Sequence, residues 1–488
     1  MSKQDNQKFK ADGIIRINTY SKWFNLLLIG LCFFFLLAVR LQVNNPTNGD
    51  EPHYLIMDYA LVHDHNLNLK GTYKNERYFS FFPYHGLKPQ GNPKIVSPGA
   101  SKVYSPHGIG MPLLLAPGFF LAAKSGAVFE MVLMATVVVW LTWVWTKQVT
   151  KNRKLAYVAA ALLTICYSFN GLAGYIYPDI LIAAATLVSL IMINEYQQKP
   201  IFQLLLGLTL GFLILLHIRN LDIVLPALVV LGYKLWQSKR QLPWLTGLVV
   251  LAFIAYFFVS LHQWFGVWNI STAYGPGAVS FGHKQMLSNV SAMLFDSNRG
   301  LLIYNPVIVL VFIGLPLWLK QKRESLLTIL AILVPSIVIL AFFNQWGGGA
   351  APNGRYIIDF LPAFIPAIAF AIDEIDRLWQ RLAVFLLATL TFLITLDATL
   401  MKFPVIDISI PNPRSPLFAQ IQRHTGLAID HLIPTYSNVT TLLSRHGLLK
   451  LSAAYIVVVV LIAYGYFLSR LVPAKASASL KIQHRNSP

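Results

Sequence analysis

The sequence is poor in charge and in cysteine. Of its 488 residues only 12% are Asp, Glu, Lys or Arg, about half of the roughly 25% that soluble domains carry. So few ionic groups cannot solvate several globular surfaces, which excludes an ordinary soluble multidomain protein. The two cysteines, Cys32 and Cys166, both lie in apolar runs, so no disulfide framework is indicated.

Apolar residues, in contrast, are abundant. They make up 56% of the chain, and the mean hydropathy is +0.56. A run of about 20 apolar residues crosses the hydrocarbon core as a helix, because every backbone polar group must then be paired within the chain. We therefore expect an all-α polytopic membrane protein with about twelve transmembrane helices. The expected spans are 23–41, 126–146, 155–171, 177–194, 201–216, 222–236, 243–264, 301–319, 325–343, 357–372, 382–401 and 451–469.

The positive charge supports this topology. The net charge is +19, with 39 Lys and Arg against 20 Asp and Glu, an excess that would suggest nucleic acid if it were clustered. Twelve spans with both termini inside place 22 of the 39 basic residues in short cytoplasmic segments, at about three times their density in the outer segments. The excess is mainly the positive-inside signal of a membrane protein, so nucleic-acid binding loses its support.

Two apolar segments depart from simple spans. Residues 109–123 are short and contain proline, so we expect an interfacial or re-entrant helix on the outer face. The runs 201–216 and 222–236 are also short and are expected to be incomplete helices that meet near 217–220. The expected organisation is a cytoplasmic N-terminus at 1–22, a membrane-embedded region at 23–401 with an irregular first outer loop at 43–124, an outer loop at 402–450, and a last span with a basic cytoplasmic tail at 451–488.

The most informative motif is Gly-Asp-Glu-Pro-His at residues 49–53, shortly after the first span. Pro52 suits the first turn of a helix, so one interpretation is that Asp50 or Glu51 caps that helix. The other interpretation is that a carboxylate here is a general base at the membrane surface. His53 beside two carboxylates also leaves a metal site open, but a single cluster of this kind defines no metal geometry.

Further candidates lie near the predicted outer ends of spans, a pattern that suits a surface active site better than a conduction path. His107 precedes the interfacial helix, where it either meets an anionic group or belongs to a Gly/Pro turn. Arg219 lies between the two short runs. Arg355 and Tyr356 follow a glycine run at 347–349 that would let a ligand approach closely; the arginine either clamps a phosphate or snorkels to the interface. The tryptophans that either stack on sugar rings or belong to the interfacial belt are Trp264, Trp268 and Trp346.

This arrangement resembles the polytopic GT-C glycosyltransferases, specifically the bacterial relatives of protein mannosyltransferases and lipid A aminoarabinose transferases. The resemblance covers the layout of residues 20 to about 380. Its residue-level support is Gly49-Asp50-Glu51 after the first span, the helix entry from His107 to Pro117, and Gly354-Arg355-Tyr356 before a later span. It implies a GT-C fold and an inverting transfer of sugar from a polyprenyl-phosphate-linked donor to a lipid, glycan or protein acceptor. The site would face the periplasm or exterior of the inner (plasma) membrane, in the cell envelope.

The resemblance also implies roles for residues. Asp50 would be the catalytic base, and Glu51 would support it or bind the sugar. Cationic groups would hold the lipid phosphate, where they act more strongly in a partly dehydrated site than in water. A divalent metal is compatible with the resemblance but is not required by the sequence. The residues expected to bind substrate are His53, His107, Arg219, Arg355 and Tyr356.

Two other classes of protein fit part of the pattern. A secondary transporter or lipid flippase would also have about twelve spans, although transporters commonly carry internal repeats and none is found in this sequence. A structural or assembly factor would use Asp50 and Glu51 only as helix caps. The long, irregular, acidic first loop favours an enzyme over a transporter or flippase.

Overall fold

A computed structural model gives the fold of the chain. It describes residues 19–42, 47–95, 101–275, 286–343, 347–348, 351, 353–401, 415–428, 432–433 and 445–471. Every regular element in these ranges is a helix, so the all-α expectation is confirmed. Most of the expected N-terminal segment 1–22, most of the loop 402–450, and the tail beyond residue 471 lie outside the described residues.

The described residues form a series of helices along the chain. The α-helices are α1 Thr19–Gln42, α2 Glu51–Tyr59, α3 Lys70–Lys74, α4 Gly110–Thr150, α5 Arg153–Thr164, α6 Tyr167–Leu172, α7 Asp179–Asn194, α8 Pro200–Leu216, α9 Leu221–Gln237, α10 Trp244–Phe265, α11 Ile270–Tyr274, α12 Met286–Phe295, α13 Leu301–Tyr304, α14 Leu310–Gln321, α15 Arg323–Phe342, α16 Arg355–Ile358, α17 Leu361–Asp373, α18 Leu378–Leu400, α19 Pro416–Thr425 and α20 Arg445–Leu471. A π-helical turn at Ala60–Asp64 and 3-10 turns at Arg77–Ser80, Ile218–Asn220 and Pro306–Val309 complete them.

Many of these helices are suited to a membrane. Within the described ranges, five segments are long and apolar enough to cross one: Gly110–Thr150, Trp244–Tyr274, Arg323–Phe342, Leu378–Leu400 and Leu449–Leu471. Shorter apolar helices are Asn25–Leu41, Asp179–Asn194, Pro200–Leu216, Pro306–Gln321 and Leu361–Asp373. The chain is therefore organised as a multi-pass membrane protein, while the number of twelve spans stays a prediction.

The expectation of continuous helices was wrong for three spans. The interrupted spans are 155–171, 301–319 and 357–372. In the second, Pro306 disfavours the helical conformation of Asn305, whose backbone has φ −134° and ψ 69°. In the first, Cys166 is extended (ψ 125°), and the Asn170 side chain donates to the freed Thr164 carbonyl at 3.0 Å. Both interruptions involve backbone geometry or side-chain contacts that hydropathy alone does not report.

Helix α4 bends sharply near its first third. Ala122 and Ala123 have non-helical backbones, with φ 49° and ψ −135° at Ala123, and the bend separates the first part of α4 from the expected span 126–146. Gly118 and Gly126 meet across it so closely that a Cβ on Gly126 would lie 1.8 Å from the Gly118 carbonyl oxygen. Helices α8 and α9 are likewise separated, by the 3-10 turn at Ile218–Asn220, which lies at the expected junction.

The first outer loop packs onto the helices rather than standing free of them. Residues 54–57 of α2 are buried in the main hydrophobic core, and α2 packs along α4. This packing holds the N-terminus of α2, where Asp50 contacts Arg355 at the start of α16.

Candidate active site

A cavity of about 360 Å³ lies beside the N-terminus of α2. The start of α2, the loop before α4, the α8–α9 junction, α11, the second half of α15, and α16 all contribute to its walls. The lining includes five of the seven residues singled out in the sequence: Asp50, His107, Arg219, Arg355 and Tyr356. The structure thus brings together side chains that are up to 306 positions apart in the sequence.

Asp50 does not cap α2, although it occupies the N-cap position. The helix begins at Glu51, and the Asp50 side chain accepts no capping hydrogen bond. One of its carboxylate oxygens lies 3.0 Å from Arg355 Nη1, and the other accepts from Gln90 Nε2 at 3.2 Å. The capping interpretation is therefore wrong for Asp50, whose carboxylate is directed toward cavity-lining groups.

The electrostatic surroundings of Asp50 favour its ionised form. Burial alone would raise the pKa of this carboxyl, but the Arg355 guanidinium, His107 and the hydrogen bond from Gln90 outweigh burial and hold the pKa well below its usual value. Asp50 is consequently an anion at neutral pH. While it stays paired with Arg355 it is a weak base, because a proton on it would have to displace that pairing.

A row of ion pairs extends from Asp50 along the cavity wall. Arg355 contacts both Asp50 and Asp179, its Nε lying 3.1 Å from an Asp179 oxygen. The other Asp179 oxygen lies 3.0 Å from Arg219, and Arg219 also reaches Asp359 at 2.7 Å. Two guanidinium groups are therefore shared among three carboxylates. Because the Arg219 side chain is 24% exposed and that of Arg355 only 8%, Arg219 is the more accessible cation.

Arg355 is fixed by stacking and by the glycine-rich segment. Its guanidinium carbon lies 4.1 Å from the centre of the Tyr177 ring and 5.4 Å from that of Tyr356, which are cation–π distances. Nη1 donates to the Gly348 carbonyl at 3.0 Å. Gly348 has φ +74°, and a Cβ there would lie 2.8 Å from Arg355 Cδ, so this position requires glycine.

A second buried arginine holds the same segment. Arg299 is 1% exposed, and its Nη1 donates to the carbonyl of Gly347, while Asn353 donates to the Asn298 carbonyl at 2.8 Å. Gly347 and Asn353, both of which precede Arg355, are thereby attached to the turn before α13. Trp346, which was expected either to stack on a sugar ring or to belong to the interfacial belt, lies outside the described residues.

Glu51 is buried behind the cavity and is not part of its lining in the described structure. Its two carboxylate oxygens accept from the backbone N–H groups of Asn48 at 3.1 Å and Ile176 at 3.0 Å. Burial raises its pKa, partly offset by Arg40 and by these two hydrogen bonds. These hydrogen bonds connect the start of α2 to the segment before α7. Of the two roles expected for Glu51, this geometry favours support of Asp50 over binding of the sugar.

His53 also lies behind the cavity wall. Its Nδ1 pairs with the Tyr73 hydroxyl at 2.7 Å, and it is 4% exposed. Burial, with repulsion from His107, lowers the pKa of His53 to about 3 against a smaller opposing effect of Asp50. The ring is therefore neutral at physiological pH and supplies no positive charge to an anionic ligand.

His107 lines the cavity next to the acidic motif. Its Nε2 pairs with Gln90 Oε1, so the Gln90 amide links His107 to Asp50. Burial lowers the pKa of His107 more than Asp50 raises it, which leaves a neutral ring. At this position the side chain acts as a hydrogen-bonding group rather than a phosphate-binding cation.

The sequence analysis missed three residues of this site as functional candidates. Asp179 joins the two arginines, Asp359 pairs with Arg219, and Gln90 bridges Asp50 and His107. The sequence could have indicated the two acids, because each lies near the predicted outer end of an apolar run and acids are scarce in this chain. Gln90 lies in a polar loop without any distinguishing pattern.

A metal ion does not fit the side chains as they are arranged. In the part of the chain that the structure describes, no group of three or more His, Cys, Asp and Glu residues is placed to hold one. Asp50 is engaged by Arg355 and Gln90, and Glu51 by backbone N–H groups. No step is therefore assigned to a metal.

Comparison with solved structures finds membrane glycosyltransferases. The oligosaccharyltransferase AglB from Archaeoglobus fulgidus, in complex with an inhibitory peptide and a dolichol-phosphate, matches with a TM-score of 0.45 and 12% identity over 85% of this chain and 59% of that one. ArnT from Cupriavidus metallidurans in the apo state matches with a TM-score of 0.49 and 12% identity over 92% and 76%. The Archaeoglobus fulgidus oligosaccharyltransferase tethered to an acceptor peptide matches with a TM-score of 0.38 and 12% identity over 97% and 58%.

These matched proteins are GT-C glycosyltransferases, the class that the sequence resembles. The chain spans only 59% and 58% of the two archaeal structures. No family model matches the sequence, and no curated protein matches it. Since all three TM-scores lie below 0.5, the function is inferred below from this chain's own residues.

Proposed function

We propose that this protein is a membrane glycosyltransferase that moves a sugar from a polyprenyl-phosphate-linked donor to an acceptor at the outer face of the membrane. The observation that supports this most is Asp50, a carboxylate without a capping role that lies in a cavity wall beside two arginines. A base next to cations is what sugar transfer from a phosphate requires, because a proton leaves the acceptor while negative charge develops on the phosphate.

Asp50 acts as the general base in this proposal. One of its oxygens takes the proton of the acceptor hydroxyl or amine as the acceptor atom forms its bond to the anomeric carbon of the sugar. The bond between that carbon and the phosphate oxygen breaks with its electron pair, so the lipid phosphate leaves as an anion. Attack from the side opposite the phosphate inverts the configuration at the anomeric carbon.

Arg219 and Arg355 bind the phosphate. Arg219 is the more exposed of the two and meets the phosphate first, while Arg355 also contacts Asp50. Guanidinium groups suit this role because their parallel N–H donors match the geometry of phosphate oxygens. Tyr356 lies against both arginines and holds their planes in place. His107 contributes a neutral hydrogen-bonding group beside the base.

This proposal assigns the membrane-embedded region 23–401 as the catalytic part. It places the site at the periplasmic or exterior face of an inner membrane, with a lipid, glycan or protein as acceptor. Glu51 has a supporting role, since both of its oxygens are engaged by backbone N–H groups.

The test is sugar transfer by the purified full-length protein in lipid nanodiscs. Undecaprenyl phosphate carrying a radiolabelled sugar is supplied with a crude envelope lipid and glycan fraction, and labelled product and released carrier phosphate are measured. Asp50→Asn should abolish both signals without changing expression or insertion. Asp64→Asn is the matched control, because Asp64 lies in the same outer loop and pairs with Arg77 away from the cavity lining.

Two results would contradict the proposal. If Asp50→Asn retains transfer, Asp50 is not the general base. If intact labelled donor crosses the membrane without release of carrier phosphate, the protein is a flippase or transporter instead.

A further inference from the structure

One end of the cavity is formed by α15. Ser336, Ile339, Leu340 and Phe343 line it, and their spacing of three, one and three residues places them on one face of a helix. Phe343 lies next to Tyr356, with ring centres 6.2 Å apart. Ser336 lies seven residues earlier, about 10 Å along the helix axis at 1.5 Å per residue. The cavity therefore extends about 10 Å along α15, from the position of Tyr356 to Ser336.

A carboxylate with an unused oxygen lies at this end. Asp222, in the first turn of α9, lines the cavity, and one of its oxygens accepts from the Ser336 hydroxyl at 2.8 Å. Its other oxygen, Oδ1, is buried and has no hydrogen-bond partner within the described structure. The partial positive charge of the helix N-terminus favours a carboxylate at this position, but it does not satisfy Oδ1.

Asp359, which also lines this cavity, has a second unused acceptor. Its Oδ2 pairs with Arg219, whereas its Oδ1 is buried and likewise lacks a partner among the described residues. Asp359 is only 5% exposed. Two carboxylate oxygens in one cavity wall thus need hydrogen-bond donors.

The neighbouring lining residues on α15, Ile339 and Leu340, are apolar. An ionisable side chain at membrane depth is costly and generally serves a ligand or a pathway. A buried acceptor without a partner carries the desolvation cost of the lost hydrogen bond. A ligand group that donates hydrogen bonds would remove this cost.

We propose that Asp222 and Ser336, with Asp359 Oδ1, form a subsite that binds hydroxyl groups of the sugar being transferred. This rests on the proposed function, because it is the sugar of the lipid-linked donor that brings hydroxyl donors into this cavity. Asp222 accepts from one sugar hydroxyl through Oδ1, and Ser336 keeps the carboxylate in place. The bare lipid phosphate, which has no such hydroxyl groups, does not use the subsite.

The experiment compares two ligands that differ only in the sugar. The full-length protein in nanodiscs is titrated with bare undecaprenyl phosphate and with undecaprenyl phosphate carrying glucose, galactose or mannose, and the donor bound most tightly by the wild type is used for the variants. Asp222→Asn should weaken binding of that donor roughly tenfold or more, as expected for loss of a hydrogen bond to a charged group. Ser336→Ala should weaken it less. Neither variant should bind bare undecaprenyl phosphate more weakly than the wild type does, which also shows that they are folded.

Asp397→Asn is the matched control, since Asp397 is an acid on an apolar helix, α18, outside the described cavity lining. It should leave both affinities unchanged. Unchanged donor binding by Asp222→Asn, or an equal loss for both ligands, would overturn the subsite while leaving the proposed function standing. A wild type that binds none of the sugar-linked donors more tightly than the bare phosphate would overturn the subsite too. Failure to bind any of these lipids would overturn the proposed function and the subsite with it.

Discussion

Asp50→Asn should have opposite effects on catalysis and on phosphate binding. The substitution keeps the shape of the side chain and removes its negative charge. Transfer should fall by roughly 10²- to 10⁴-fold, the usual contribution of a general base. Binding of bare undecaprenyl phosphate should become tighter, because Asp50 competes with the phosphate for Arg355, to which it lies at 3.0 Å.

The size of the expected gain in phosphate affinity follows from the geometry of the Asp50–Arg355 pair. At 3.0 Å, Coulomb's law gives between about 1 kcal/mol in water and about 5 kcal/mol at an effective dielectric constant of 20. Since the Asp50 side chain is 25% exposed, solvent screening places the interaction toward the lower limit, about 1–2 kcal/mol. This corresponds to a roughly 5- to 30-fold lower Kd for the carrier phosphate.

The assay is a titration of nanodisc-embedded protein with undecaprenyl phosphate by scintillation proximity, in parallel with the transfer assay. Asp64→Asn should change neither quantity. In the Arg355→Met background the effect of Asp50→Asn on phosphate binding should largely disappear, because the group for which the two anions compete is gone. Unchanged or weaker phosphate binding by Asp50→Asn alone would refute the competition, even if transfer were lost.

Three other substitutions test separate parts of the site. Arg355→Ala should raise the KM for the donor more than the KM for the acceptor, and a change confined to the acceptor would show that the phosphate lies elsewhere. Glu51→Gln should lower the free energy of unfolding by about 1–3 kcal/mol, because an amide cannot accept from both backbone N–H groups; thermal unfolding in detergent measures this, and an unchanged midpoint would contradict it. His53 has a folded-state pKa of about 3, below the roughly 6.5 of an exposed imidazole, so protonation favours the unfolded state. Its contribution to stability should therefore be lost as pH falls from about 6.5, by up to about 1.4 kcal/mol per pH unit. A His53→Phe variant should show a shallower decline in unfolding midpoint below pH 6.5, and an equal slope in both proteins would exclude His53 as the titrating group.

Several of the charged residues that line the cavity could be predicted from the sequence. A membrane protein contains few ionisable residues in or near its apolar segments, so the position of each one is informative. Asp50, Arg219 and Arg355 were singled out by residue type and by their distance from the nearest apolar run, and the cavity contains all three. What local patterns do not encode is which way each side chain of the acidic motif points. Glu51 and His53 follow Asp50 by one and three positions in the sequence. The packing of α2 on α4 nevertheless directs their side chains away from the cavity.

The remaining differences concern contacts between distant segments. The role of Asp179 depends on Arg219 and Arg355, which are 40 and 176 positions away, so no window of sequence reveals it. The helix interruptions at Cys166 and Asn305 lie inside apolar runs of uniform hydropathy. Pro306 accounts for the interruption at Asn305, and the interruption at Cys166 consists of one residue with an extended backbone. Hydropathy therefore located the apolar helices, while the path of the chain within them depended on tertiary contacts.

The sharing of Asp179 means that the two arginines do not act independently. A ligand that draws Arg219 toward itself removes one of the two partners of Asp179, whose carboxylate is then free to attract Arg355 more strongly. Arg355 in turn loosens its hold on Asp50, and the proton affinity of Asp50 rises. The arrival of an anion at the exposed end of the row would thereby be transmitted, through charge alone, to Asp50, the proposed base at the other end.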